Sequence, residues 1–107
     1  MSNYEIKIDK YGTKSYHLNG IFHREDGPAV EYVDGYKAWY IHGKRHRESG
    51  PAIEYADGSK EWYKNGLCHR EDGPAVDWIK GYKFWFLNDK KYGKNDDFTN
   101  ESWVKFV

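Results

Sequence analysis

His23-Arg24-Glu25-Asp26-Gly27-Pro28-Ala29-Val30 recurs letter for letter at 69–76, and His46-Arg47-Glu48-Ser49-Gly50-Pro51-Ala52-Ile53 lies between the two copies. A histidine beside an arginine and one or two acids is material for acid–base catalysis or for binding a metal. A metal would need several ligand atoms about 2.0–2.2 Å from one centre. The three histidines are 23 residues apart. If each period contributes two strands about 4.8 Å apart, equivalent histidines stand roughly 10 Å from one another, too far to share an ion. Ser49 stands where the other copies have Asp26 and Asp72. Serine can take over a turn-shaping hydrogen bond, but not the work of a catalytic carboxylate. Cys68 occupies the place of Phe22 and Arg45, so that position carries no shared thiol chemistry. No Ser-His-Asp order, phosphate loop or cysteine pair stands out. These residues predict no catalytic site, no metal and no cofactor.

The elements that position the motif follow from its period. Trp39, Trp62 and Trp85 share the 23-residue spacing, as do Gly20, Gly43 and Gly66, and Gly35, Gly58 and Gly81. Three copies stand clear, at 17–39, 40–62 and 63–85, with weaker traces on both sides. Asp34-Gly35 and its equivalents separate β-rich runs, and so do Asn19-Gly20, His42-Gly43 and Asn65-Gly66, so each copy reads as strands joined by two tight turns. The fold class expected is all-β: a single elongated, twisted antiparallel meander of roughly seven to nine strands. The Gly-Pro of each motif interrupts the regular ladder. One domain spans 1–107, with a partial repeat at 1–16, three repeats and a further partial one at 17–92, and a helical cap at 93–107. Thr99 is the expected N-cap of that helix, with Trp103, Phe106 and Val107 at helical spacing.

A two-residue turn at Asp34-Gly35 would set Val33 against Tyr36 and Val30 against Trp39. Val30, Tyr32, Lys37 and Trp39, with their equivalents around Trp62 and Trp85, then form the buried face. Ala29, Glu31, Ala38, Ala52, Glu54 and Glu61 fall on a wet face, with Tyr40, Tyr63 and Phe86 as an exposed or half-exposed aromatic row. Two-residue turns at the Asn-Gly and His-Gly sites set Tyr16 against His23, Trp39 against His46 and Trp62 against His69. His23, His46 and His69 are thus structural packing partners of the aromatic at the start of each pair. Arg24, Arg47 and Arg70 alternate away from the histidines, toward the wet face or into the loop, solvated or paired with Glu31, Glu54 and Asp77. On that reading, His46→Ala lowers stability and Arg47→Ala leaves it nearly unchanged.

Composition bounds the rest. Seventeen basic residues balance seventeen acidic ones, which argues against the whole surface being a nucleic-acid or anionic-membrane footprint. Hydrophobic residues make up 38% of the chain and aromatics 19%, so the core must be thin and built from rings. One cysteine excludes an internal disulfide, and no apolar run suits a signal peptide or membrane span, so an intracellular, cytoplasmic setting is expected. Met-Ser-Asn-Tyr-Glu reads as an ordinary start rather than a targeting segment.

The run Tyr40-Ile41-His42-Gly43-Lys44-Arg45-His46, with Tyr55-Ala56-Asp57-Gly58-Ser59-Lys60-Glu61-Trp62-Tyr63, resembles MORN repeats in a variant form. The His-Arg-Glu-Asp-Gly-Pro-Ala block is similar to repeats of small bacteriophage and giant-virus proteins. The resemblance covers roughly residues 4–92. It implies an elongated sheet of hairpins and a viral origin, without transferring an activity. The function expected is a non-enzymatic protein-binding module that inhibits or modulates a host protein, such as a defence nuclease. Tyr40, Tyr63, Phe86, Arg45, Arg47 and Arg70 are its candidate contacts. An Arg and aromatic row could alternatively hold a nucleotide or nucleic acid, and a virion or scaffold component is a third reading. No membrane partner is expected.

Overall fold

The computed structural model describes residues 4–107, and the reading of the first residues as an ordinary start lies partly outside them, at 1–3. The strands are β1 (Tyr4–Ile8), β2 (Lys14–Leu18), β3 (Ile21–Phe22), β4 (Val30–Glu31), β5 (Lys37–Ala38), β6 (Tyr40–Ile41), β7 (Lys44–Arg45) and β8 (Ile53–Glu54). They continue as β9 (Lys60–Glu61), β10 (Tyr63–Lys64), β11 (Leu67–Cys68), β12 (Val76–Asp77), β13 (Lys83–Leu87) and β14 (Lys90–Lys94). A 3-10 turn at Asn95–Asp97 leads to α1 (Asn100–Phe106). The structure is an all-β antiparallel meander with one short C-terminal helix.

The main sheet has the order β1-β2-β4-β5-β8-β9-β12-β13-β14, with β3 on β2. Two small ladders, β6-β7 and β10-β11, branch from it. The chain changes partners at the tryptophans. Trp39 N–H donates to the Ala52 carbonyl (2.7 Å) in the main sheet, while its own carbonyl accepts from His46 N–H (3.1 Å) in the side hairpin. Trp62 does the same between Ala75 (2.7 Å) and His69 (3.1 Å). The molecule measures 45 × 30 × 18 Å, as expected of a stacked array.

The Asn-Gly turns have the expected two residues. Asn65 and Gly66 both take left-handed φ (51° and 82°), with Lys64 opposite Leu67 and Tyr63 opposite Cys68. His42 manages the same conformation at φ 49°. Tyr16, Trp39 and Trp62 therefore lie opposite His23, His46 and His69, each joined to its histidine by a backbone bond of 3.1 Å.

The Asp-Gly turns overturn an expectation. Tyr32 N–H donates to Tyr36 C=O (2.9 Å) and Gly35 N–H to Tyr32 C=O (3.1 Å), which leaves three residues, not two, in the loop. The Asp34 carboxylate completes it by accepting from Tyr36 N–H (3.0 Å). Val30 consequently faces Ala38, and Glu31 faces Lys37. A slip of one residue moves every later side chain to the other face. Val30, Ala38 and Ile53 are packed together with Tyr36, Tyr40 and Tyr63. Lys37 and Trp39 lie on the opposite face by alternation, with Glu31. Ala29, Ala38 and Ala52, expected to be wet, are buried at 0–1% exposure.

The C-terminal cap forms as the cap residues dictate. Thr99 Oγ1 accepts from Ser102 N–H (3.0 Å) at the start of α1. Trp103 is buried against Trp85 (ring centroids 5.4 Å) and Phe98 (4.8 Å). Phe98 also covers Gly93, where a Cβ would meet its ring at 2.9 Å. Gly93 is the fourth-repeat equivalent of Arg70, so rings from the tail lie where a further arginine would have been.

Candidate partner-binding face

The slipped register gathers aromatic residues on one face of the sheet. Tyr32 touches Tyr36 (5.0 Å), and Tyr36 meets Tyr55 edge-on (5.5 Å). Trp78 meets Phe84 (5.6 Å), and Phe22 meets Tyr40 (5.1 Å). Tyr32, Trp78 and Tyr82 remain 48%, 40% and 54% exposed. Trp78 forms a wall of two adjoining clefts. One, of about 460 Å³, runs along Tyr55, Ser59, Trp78, Ile79 and Tyr82. The other, of about 380 Å³, is lined by Glu61, Tyr63, Trp78, Phe84, Phe86 and Lys91, among others.

Glu61 lies in the middle of this face, opposite Ile53 and Val76. Placing it on a wet face was wrong: only 8% of it is exposed. Its carboxylate accepts from Tyr55 Oη (3.0 Å), Tyr63 Oη (3.0 Å) and Trp78 Nε1 (3.1 Å). A buried carboxylate must find donors, and here three neutral aromatic groups supply them. Burial, then the hydrogen bond to Glu61, pushes the Tyr55 hydroxyl up to about 12. Burial and the Glu61 charge also push Tyr63 well above the usual phenol range. The same two causes, with Asp89, raise the buried Cys68 thiol to about 12. Cys68 is therefore expected to resist iodoacetamide near pH 8, with alkylation slowed about a hundredfold or more against the denatured chain. Mass-spectrometric time courses with and without denaturant check this; equal rates would show that the thiol is not enclosed.

Of the predicted contact residues, the structure brings together Tyr40, Tyr63, Phe86 and Arg45. Arg45 lies opposite Tyr40 and 5.3 Å from the Tyr63 ring centroid. The three rings are half-buried: Tyr40 and Tyr63 pack on the Val30–Ile53 cluster, and Tyr63 and Phe86 on the Cys68–Val76 cluster.

Arg47 and Arg70 do not join them. Their guanidinium carbons sit over the rings of Trp39 (3.9 Å) and Trp62 (3.7 Å), as that of Arg24 does over Tyr16 (3.9 Å). Each guanidinium donates at 3.1 Å to the carbonyl of the proline four residues on. Arg24 and Arg47 also reach Glu31 (3.4 Å) and Glu54 (3.1 Å), and Arg24 and Arg70 pair with Asp26 (2.9 Å) and Asp72 (2.8 Å), Arg70 with Asp72 rather than Asp77. The glycine of the motif leaves room for this stack: a Cβ at 27, 50 or 73 would come within 2.8, 3.2 or 2.7 Å of the guanidinium carbon. The arginine is a structural component: the expected pairs with Glu31 and Glu54 form, but the guanidinium rests on its ring and proline carbonyl rather than in solvent.

The histidines join successive repeats. Nδ1 of His23, His46 and His69 accepts the N–H of His42 (2.8 Å), Asn65 (2.9 Å) and Asn88 (3.0 Å), the first turn residue of the next hairpin. That role consumes the acceptor nitrogen, leaving Nε2 toward Glu25, Glu48 or Glu71. Among the described residues no three His, Cys, Asp or Glu side chains converge as metal ligands would, and no helix is long and apolar enough to cross a membrane.

Glu61, Trp78 and Tyr55 were not among the predicted contact residues. One signal was present: 23 residues either side of Glu61 stand Ala38 and Phe84. A lone acid at an otherwise apolar repeat position marks a buried carboxylate. No protein-family model, curated protein or solved structure matches the chain.

Proposed function

We propose that the chain is a non-enzymatic protein-binding module, and that its aromatic face takes a partner protein presenting a basic side chain. The observation that carries this reading is the set of exposed rings around the buried Glu61 carboxylate. Trp and Tyr dominate interface hot spots because they bury large area at low conformational cost. Ring faces and a carboxylate together attract an ammonium or guanidinium group. The MORN-like, phage-type repeats support the narrower reading of a phage-encoded inhibitor or modulator of a host protein, such as a defence nuclease. A nucleotide- or nucleic-acid-binding role gains less support, since Arg24, Arg47 and Arg70 are held by their own aromatic and proline partners.

The test is affinity capture from a bacterial host lysate with mass spectrometry, with and without nuclease. Wild type is compared with Trp78→Ala, Tyr82→Ala and Glu61→Gln. The expected result is a nuclease-insensitive protein partner whose affinity falls about tenfold or more in each variant. Capture that survives all three substitutions would remove this face from the contact. Capture that disappears with nuclease would favour the nucleic-acid reading instead.

A further inference from the structure

We propose that the chain forms a two-fold dimer by antiparallel pairing of β1 with β1 of a second copy, in a register centred on Ile6. The inference is independent of the aromatic face. It starts from the repeat. Ala29, Ala52 and Ala75 are each 0% exposed. Their carbonyls accept the N–H of Tyr16, Trp39 and Trp62 from the preceding strand, each at 2.7 Å. Twenty-three residues before Ala29 stands Ile6, which is 61% exposed. Among the described residues nothing lies beyond β1 in the sheet. The position that a preceding strand fills three times is open at β1.

The backbone sets which groups are free. Asp9 N–H bonds Thr13 C=O across the hairpin. In an antiparallel ladder the inward-bonded residues alternate, so with the register Lys7↔Ser15 and Glu5↔His17 the odd residues face β2. The N–H and C=O groups of Tyr4, Ile6 and Ile8 point outward. Their side chains share one face of the strand, at 57%, 61% and 68% exposure. Such an edge is a template for another strand.

The charges favour a second copy in the Ile6-centred register over its two nearest slips. With Ile6 opposite Ile6 of the second copy, Tyr4 meets Ile8, and the outward backbone groups of both strands bond reciprocally. Glu5 then faces Lys7 of the other copy, and Lys7 faces its Glu5. Shifting the centre to Glu5 opposes two carboxylates. Shifting it to Lys7 opposes two ammonium groups and sets Glu5 against Asp9, so like charges oppose each other in both slips. The other end of the sheet is unsuited to the role: β14 carries Lys90, Lys91 and Lys94, and Lys94 N–H is already bonded to Asp97. One open, self-complementary edge gives a closed two-fold dimer rather than a filament.

The test is sedimentation equilibrium over a range of concentrations on the full chain and on Glu5→Lys and Lys7→Glu variants. Both sites are exposed, and circular dichroism confirms folding. Wild type is expected to approach twice the chain mass as concentration rises. Each variant alone opposes like charges and should remain monomeric. The two variants mixed restore Glu–Lys pairs at both positions, and should form a mixed dimer. A monomeric wild type, dimers that persist in the single variants, a mixture that stays monomeric, or open-ended higher species would each overturn the proposal.

Discussion

Trp103→Ala is expected to produce the largest loss of stability of any single substitution in the tail, about 3–5 kcal/mol. Its side chain is fully buried, and it stacks on Phe106 (5.5 Å, 18° between planes) besides Trp85 and Phe98. Its indole Nε1 donates to the Arg70 carbonyl at 2.8 Å, a contact between residues 33 apart in sequence. Truncation opens a cavity, uncovers Trp85 and removes that donor. For a domain of this size the melting temperature should fall by roughly 12 °C or more. Trp103→Phe retains the ring but not the donor, so it should recover most of the loss and leave a deficit of about 1 kcal/mol. Thermal unfolding followed by circular dichroism measures both. A fall of only a few degrees for Trp103→Ala would mean that α1 contributes little to closing the last repeat.

Arg70→Ala is expected to cost about 2–3 kcal/mol, the second large effect. The guanidinium covers the Trp62 ring at 3.7 Å and donates to the Pro74 carbonyl at 3.1 Å. A partly buried cation–ring contact is worth about 0.5–2 kcal/mol and a charged hydrogen bond about 1.5–3 kcal/mol. The pair with Asp72 adds little, because that carboxylate is 79% exposed. Arg70→Lys should restore only part of the loss, since an ammonium cannot lie flat on the indole while it donates in a fork. Denaturant melts of the three proteins decide this. Equal stability of Arg70→Ala and wild type would return the arginine to the solvated role that alternation assigned to it. The same reasoning reverses the expectation for Arg47→Ala, which should destabilise through Trp39 in like manner.

Much of the fold was legible because the repeat imposes it. The 23-residue period, the left-handed Asn-Gly turns and the pairing of Trp62 with His69 all follow from local chemistry that recurs. Thr99 and the Trp103–Phe106 spacing marked the cap in the same way. The face assignment was not legible, and the reason is one residue long. Asp34-Gly35 suits a two-residue turn, yet the Asp34 carboxylate and the Gly35 N–H close a three-residue loop. Nothing in the dipeptide distinguishes the two, while the consequence reverses which side of the sheet Trp39 occupies.

The candidate site divides along the same line. Tyr40, Tyr63, Phe86 and Arg45 were placed together because they lie in equivalent hairpins, which turn at His42-Gly43, Asn65-Gly66 and Asn88-Asp89. Arg47 and Arg70 were misplaced because alternation was carried past the histidine into a loop, where the chain no longer alternates.

By itself, the sequence determined the repeat, the strands, the turn positions and the cap, since each rests on residues close together in the chain. Only the tertiary structure decided the use of each face. Arg70 needs Trp62 beneath it and Pro74 beside it, and Glu61 needs donors from Tyr55, Tyr63 and Trp78 on three different strands or loops. A buried charge is tolerated only where such donors converge. That convergence depends on register, which a one-residue change in loop length is enough to alter.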